Sequence, residues 1–297
     1  MYLTHFGFHD LPFGLTPNTG FYVELSGHQQ AMDVLLTAID LGEGFLKVTG
    51  EVGTGKTLLC RKLLQEAPTH WQLAYLPDPN LDPLQLRWAL ALELGLHHSA
   101  NIDQQQLQHL LQRQLLLLAA QGKRVVVLID EAQALPDDTL EALRLMTNLE
   151  TEQRKLLQVV LFGQPELDVR LAKNKFRQLR QRISFSYQLP RLQQHEVQCY
   201  VEERLQRAGA SNLALFSQAA LWWLTLASRG IPRLVNIIAH KALLLSYGKG
   251  ASQVQWASVW AAARDTDDVQ LGRWQQLALV VVLSVMGVGL FWWSGRL

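Results

Sequence analysis

Up to Pro190, short apolar runs alternate with longer stretches in which apolar residues recur every three or four positions. The runs fall at Phe45–Thr49, Leu73–Leu76, Val125–Ile129, Val159–Phe162 and Ile183–Leu189, and their length and content predict strands. Helical spacing occupies His28–Asp40 ahead of the first run, then Lys56–Glu66, Pro83–Leu94, Gln104–Gln121 and Thr139–Thr151. Strands alternating with helices imply an α/β fold with a parallel sheet covered on both faces. The Gln-rich stretch from Gln104 to Gln114 keeps its leucines at helical spacing, so it reads as an amphipathic helix rather than low complexity.

After Pro190 the strand signals stop. Helical patterns remain at about 193–208, 216–228, 232–247 and 252–263, with Gly209, Gly230 and Gly248 near their boundaries, a small all-α unit. Residues 1–30 are rich in aromatics, Gly and Pro and read as an extended, turn-rich arm. The expected division is an α/β core with its arm over 1–190, a helical lid domain over 191–265, and a polar linker over 266–274. A transmembrane helix is expected over 275–294. No charged residue occurs between Arg273 and Arg296, and Leu277 to Trp293 is nearly all apolar, near the short end of what spans a bilayer. Trp274 on one side and Trp292-Trp293 on the other match interfacial anchors. Ser284, Gly287 and Gly289 contain no G-x-x-x-G pair, so strong self-dimerisation through this segment is not expected. The N-terminus lacks the basic and apolar regions of a signal peptide.

Composition narrows the partners. The chain has 297 residues, with Lys+Arg 27 against Asp+Glu 26 and a net charge of +1. That balance argues against a generic nucleic-acid coat, so nucleic acid is not an expected partner. Cys60 and Cys199 sit in no ligand-like cluster and read as buried free thiols; His97-His98 lacks the neighbours of a metal site.

The chemistry concentrates where strands end. Gly50, Glu51, Val52, Gly53, Thr54, Gly55, Lys56 and Thr57 fit G-x-x-x-x-G-K-[ST], between an apolar run and a helical pattern that starts Lys56-Thr57-Leu58. Such a loop turns its N–H groups onto the β- and γ-phosphates of ATP, beside a helix N-terminus. Lys56 would add a point charge, and Thr57 Oγ would ligate Mg²⁺. The run Val125–Ile129 ends in Asp130-Glu131. Asp130 can hold the water shell of Mg²⁺, and Glu131 can polarise the attacking water. Glu131 could equally cap a surface helix.

Gln164 follows the next run, in Gly163-Gln164-Pro165, where it could contact the γ-phosphate or the lytic water, or simply form a turn. Arg177, Arg180 and Arg182 lie in a basic stretch with Arg170, Lys173 and Lys175. A solvated basic face accounts for most of these side chains, while one arginine ahead of the last strand is where a ring ATPase offers a finger to its neighbour's γ-phosphate. A phosphate- or nucleic-acid-binding patch is the third reading. Arg233, in Gly230-Ile-Pro232-Arg233 at a helix start, could swing toward the nucleotide or pair with a surface acid.

Taken together, Glu51–Thr57, Asp130-Glu131-Ala-Gln133, Gly163-Gln164-Pro165-Glu166-Leu167 and Gly230-Ile-Pro-Arg-Leu234 with Asn236 resemble the AAA+ ATPases of the ExeA/GspA type. Those act in general secretion and type IV pilus systems. The opening Tyr2-Leu3, Phe6-Gly7, Leu11-Pro12-Phe13 and Leu15–Thr19 resembles the branch serving the mannose-sensitive haemagglutinin pilus. The resemblance covers roughly residues 1–265. It implies Lys56 and Thr57 at phosphate and Mg²⁺, Asp130 and Glu131 as Walker B, Gln164 at sensor 1, Arg233 at sensor 2, and Arg180 or Arg182 as finger. It also implies an ATP-dependent homo-oligomeric ring working with pilus or secretion assembly proteins at a bacterial inner membrane. Many relatives of this type continue into a periplasmic peptidoglycan-binding domain, whereas this sequence stops at Ser294-Gly-Arg-Leu297; the expectation is that wall contact passes through partners. A DNA-binding transposition helper and a nucleotide-gated scaffold with little turnover are the other readings. The apolar segment and balanced charge favour the assembly factor.

Overall fold

The computed structural model describes residues 2–16, 18–96, 103–150 and 154–269. They form two units: Pro17–Pro190, and Arg191 onward together with the first 16 residues.

In Pro17–Pro190 the strands are β1 (Phe45–Thr49), β2 (Trp71–Leu76), β3 (Arg124–Ile129), β4 (Leu157–Gly163) and β5 (Ile183–Gln188). They pair in the order β2-β3-β4-β1-β5, every pair parallel. The nearly unbroken apolar runs of the central strands β3 and β4 have a direct cause, because successive side chains of a strand point to opposite faces and both faces are covered there, whereas the edge strand β5 is largely exposed. Val125, Val127 and Ile129 enter one layer with Leu86, Leu90, Leu107, Leu115 and Leu143 of the helices Pro83–Glu93, Gln104–Ala120 and Asp137–Met146. Val126 and Leu128 enter the other with Leu35 and Ile39 of Ser26–Asp40 and Leu59 and Leu63 of Lys56–Glu66.

Among the described residues several helices depart from the sequence pattern, including Tyr2–Phe6, where the sequence reads as an extended arm, and the one-turn helix Arg177–Arg180. The one expected over Thr139–Thr151 runs Asp137–Met146. Asp137 and Asp138 occupy its first turn, favourable for the helix dipole, and beyond Thr147 the chain turns so that Glu150 bridges Lys155. Pro165–Leu171 forms a further helix with Pro at its first position and Glu166 and Asp168 in its first turn. Seven residues are under two turns, too few for periodicity to register.

The second unit comprises the helices Gln194–Arg207, Gln218–Ser228, Pro232–Gly248 and Trp256–Arg264. The start of the arm is part of it. Phe13 is 1% exposed and meets Phe216 edge-on at 6.0 Å. Buried Arg204 donates through Nε to Pro12 O at 2.6 Å and through Nη2 to Gly14 O at 3.2 Å. Tyr2 Oη and His240 Nδ1 share a hydrogen bond at 3.1 Å. The Pro and aromatic residues that read as an extended arm are therefore packing groups. Phe13→Ala is expected to destabilise the protein by about 3–5 kcal/mol, seen as a lower urea midpoint at unchanged slope.

Cys60 is buried as expected, but Cys199 is exposed. On Gln194–Arg207 the inward positions are Val197, Tyr200, Val201, Arg204 and Leu205, and Cys199 falls between them on the outer face. Among the described residues no helix is long and apolar enough to cross a membrane. The span expected over 275–294 and the pair His97-His98 lie outside the described residues.

Candidate functional site

Parallel strands bring their C-terminal ends to one edge of a sheet, and in this order β1 and β3 both flank β4. Thr49 lies opposite Gly163, and Ile129 opposite Leu161. The loops that follow these strands, carrying Gly50–Gly55, Asp130-Glu131 and Gln164, are thereby placed side by side, at the edge where open α/β sheets hold their ligands.

The first loop folds around the carbonyl of Glu51. It accepts from Thr54 Oγ1 at 2.8 Å, Thr54 N at 3.2 Å and Lys56 Nζ at 3.0 Å. Lys56 Nζ also donates to Gly50 O at 2.8 Å. Gly55 takes φ +98°, and a Cβ there would stand 2.8 Å from His28 Nε2, so glycine is required twice over. His28 is buried, and its Nε2 donates to Thr54 O at 2.9 Å. Helix Lys56–Glu66 begins at Gly55 with no side-chain cap, leaving its first-turn N–H groups to an incoming anion. Glu51, Gly53, Thr57 and Leu58 are half-buried around it, while Val52 is 54% exposed.

Lys56 is 4% exposed. Burial lowers its pKa, and Glu131, Asp130, Glu51 and Glu166 oppose that shift. Asp130 is 3% exposed; burial raises its pKa, offset by hydrogen bonds from the Thr57 hydroxyl and the Glu131 N–H, the latter at 2.9 Å. A hydroxyl on a buried carboxylate is a pair of hard oxygen donors, which suits Mg²⁺.

Glu131 has φ +51°, left-handed and uncommon for a residue with a side chain, a conformation costing about 1–3 kcal/mol. It ends β3's direction abruptly and starts the 3-10 turn Ala132–Ala134. Its Oε2 accepts from Gln133 Nε2 at 2.5 Å and from Gln164 Nε2 at 3.0 Å. Gln164 N donates to Gln133 Oε1 at 2.9 Å.

The structure therefore assembles Gly50–Leu58, Asp130, Glu131 and Gln164 at one edge. His28 and Gln133 join them without having been singled out. Gln133 is visible in the sequence only as part of Asp130-Glu131-Ala-Gln133, and His28 only as the start of a helix.

The arginines are placed differently. Arg170 donates to Asp137, Nε at 2.8 Å, and Lys175 pairs with the same carboxylate, holding it below the usual range. These two are fixed structural pairs. Arg177 and Arg180 are exposed on the short helix Arg177–Arg180, where Arg180 Nη1 donates to Ala172 O at 3.0 Å. Half-buried Arg182 lies within the field of Glu141, whose carboxyl is lowered first by Arg144. Arg233 is exposed on Pro232–Gly248, in the helical unit. Asn236 of the same helix is buried and accepts from Tyr200 Oη at 3.1 Å.

Comparison with known proteins accords with this geometry. The family described as AAA domain matches residues 39–171. Over 295 residues, 99% of this chain, the sequence is 40% identical to the general secretion pathway protein A of Aeromonas hydrophila, and it spans only 54% of that relative's length. Among solved structures, the ORC2 protein of Aeropyrum pernix is similar at TM-score 0.60 and 17% identity, covering 88% of this chain and 72% of the other. Cdc6p from Pyrobaculum aerophilum is similar at TM-score 0.61 and 16% identity, with 82% and 67% covered. The Holliday junction branch migration motor RuvB of Thermotoga maritima gives TM-score 0.52 at 15% identity, with 82% and 69% covered. At such identities the structures show the fold alone, an α/β P-loop fold. The matched AAA domain accords with the nucleotide chemistry of this edge and supports an ATPase.

Proposed function

We propose that this ATPase couples ATP hydrolysis to the assembly of a type IV pilus or secretion apparatus at a bacterial inner membrane, as a ring of identical subunits. The observation that carries the chemical part is the convergence of Lys56, Asp130, Glu131 and Gln164 at the ends of three adjacent strands. The loop N–H groups and Lys56 bind the β- and γ-phosphates. Thr57 and Asp130 would hold Mg²⁺, which would supply neutralisation of phosphate charge. Glu131 takes the proton of the attacking water, with Gln164 beside it.

The cellular part rests on two supports. The 40% identity to a general secretion pathway protein covers nearly the whole chain, and the apolar segment Leu277–Trp293 has the composition of an anchor. Within the type, the opening residues Tyr2 to Thr19 favour MshM, the biogenesis ATPase of the mannose-sensitive haemagglutinin pilus. Residues 1–273 would then face the cytoplasm, where ATP is. Exposed Arg180, or Arg182, would serve a neighbour's γ-phosphate, and Arg233 the subunit's own nucleotide. The net charge of +1 and the pairing of Arg170 and Lys175 with Asp137 weigh against a DNA-binding helper.

The test is capture of the tagged full chain from detergent-solubilised membranes. Glu131→Gln, which holds ATP, is expected to retain inner-membrane pilus or secretion subunits that Lys56→Ala releases. Release of the chain from membranes by carbonate, or the same partners on both variants, would contradict the proposal.

A further inference from the structure

Gln133 has no role in the reading above, yet its side chain occupies the junction between two residues that do. A carboxamide has one donor end and one acceptor end. Here the donor end meets Glu131 Oε2 at 2.5 Å, and the acceptor end takes the backbone N–H of Gln164 at 2.9 Å. Gln164 closes the triangle, its Nε2 donating to the same Oε2 at 3.0 Å. The backbone of Gln133 is itself held, because Arg170 Nη1 donates to Gln133 O at 2.9 Å while Asp137 fixes the guanidinium.

Glu131 needs such support. Its left-handed φ of +51° gives its side chain a direction that the strand alone would not produce, and such conformations persist when the surroundings over-determine them. A base must also stand within hydrogen-bond reach of the proton it removes, and displacement of about 1 Å can cost on the order of 100-fold in rate.

We infer that Gln133 is a positioning residue for ATP hydrolysis. It sets the direction of the Glu131 carboxylate and locks it to the loop carrying Gln164. With both amides on Oε2, the proton-accepting role falls to Oε1. In this arrangement Gln133 acts through Glu131. The inference rests on the assignment of Glu131 as the base.

The experiment compares Gln133→Met and Gln133→Glu in the full chain. Methionine keeps the length and removes both hydrogen bonds. Glutamate keeps the acceptor end but sets a second carboxylate against Glu131. Gln133→Met is expected to lower kcat roughly 10- to 100-fold, with KM for ATP and the affinity for a non-hydrolysable ATP analogue each within about threefold of wild type. Gln133→Glu is expected to fall further. Added to Glu131→Gln, the Gln133→Met change is expected to cost nothing more, because its effect passes through the carboxylate already removed. A structural role would lower stability without splitting kcat from KM and would add to Glu131→Gln. If Gln133→Met fails to fold, judged by its thermal melt, Gln133→Asn carries the same expectations, since it keeps the amide one methylene too short to span both partners. Wild-type kcat in a folded Gln133→Met or Gln133→Asn, or an additive loss, overturns the inference. Wild-type turnover in Glu131→Gln would instead remove the assignment of the base on which it rests.

Discussion

Replacing Glu131 with glutamine is expected to leave ATP bound and to lower kcat by about 10²–10⁴-fold, the usual contribution of a positioned general base. The amide is nearly isosteric, so the loop and its phosphate contacts should be unaffected. What it cannot do is accept the proton of the attacking water. The hydrogen-bond pattern sharpens this expectation. Glu131 Oε2 accepts from two amide N–H donors, Gln133 Nε2 and Gln164 Nε2. A glutamine can still accept them through its carbonyl oxygen, which would keep the triangle and hold the amide in the base's place. ATP affinity within about threefold of wild type, together with lost phosphate release in single-turnover assays, would identify a chemical step rather than a binding defect.

Lys56→Ala is expected to have the opposite signature. The ammonium is 4% exposed and held by Gly50 O and Glu51 O, inside the loop proposed to bind phosphate. Removing a buried charge from a charge-paired site costs about 2–5 kcal/mol, or roughly 30- to 4,000-fold in ATP affinity. Isothermal titration with a non-hydrolysable analogue measures it directly. Stability in the absence of ATP should change little or rise. Burial already disfavours this ammonium, against the pull of Glu131 and Asp130, so the folded protein gains little from it.

Much of the fold is legible in the sequence because the central strands of the sheet are buried on both faces. The strands β1 to β5 fall within two residues of the apolar runs at each end, since runs such as Val125–Ile129 have no polar position to confuse them. Helices with a single buried stripe, such as Lys56–Glu66, are equally plain. What escapes has a common cause, dependence on residues distant in the chain. Phe13 and Pro12 look like parts of a loose arm until Phe216 and Arg204 are brought to them. His28 carries no motif, and its hydrogen bond spans 26 positions to Thr54. Gln133 and Gln164 are 31 positions apart and meet only because β3 and β4 are neighbours. The phosphate loop is the reverse case. Its chemistry is local, so eight consecutive residues suffice to reveal it.

The arginines mark where local reading stops. Arg170, Lys175, Arg177, Arg180 and Arg182 are alike in sequence, but two of them are committed to Asp137, one reaches the carbonyl of Ala172 and another sits near Glu141. Charge alone could not sort them, because an ion pair is decided by which carboxylate the fold places within reach.

The central claim, that the loop and Walker B residues form one ATP-hydrolysing site with divided labour, is tested most directly by a paired measurement. Analogue affinity and phosphate release are measured on the purified full chain, as wild type, Lys56→Ala and Glu131→Gln. The account predicts that Lys56→Ala loses both, while Glu131→Gln keeps affinity and loses release. Wild-type release from Glu131→Gln, or wild-type affinity in Lys56→Ala, would contradict it.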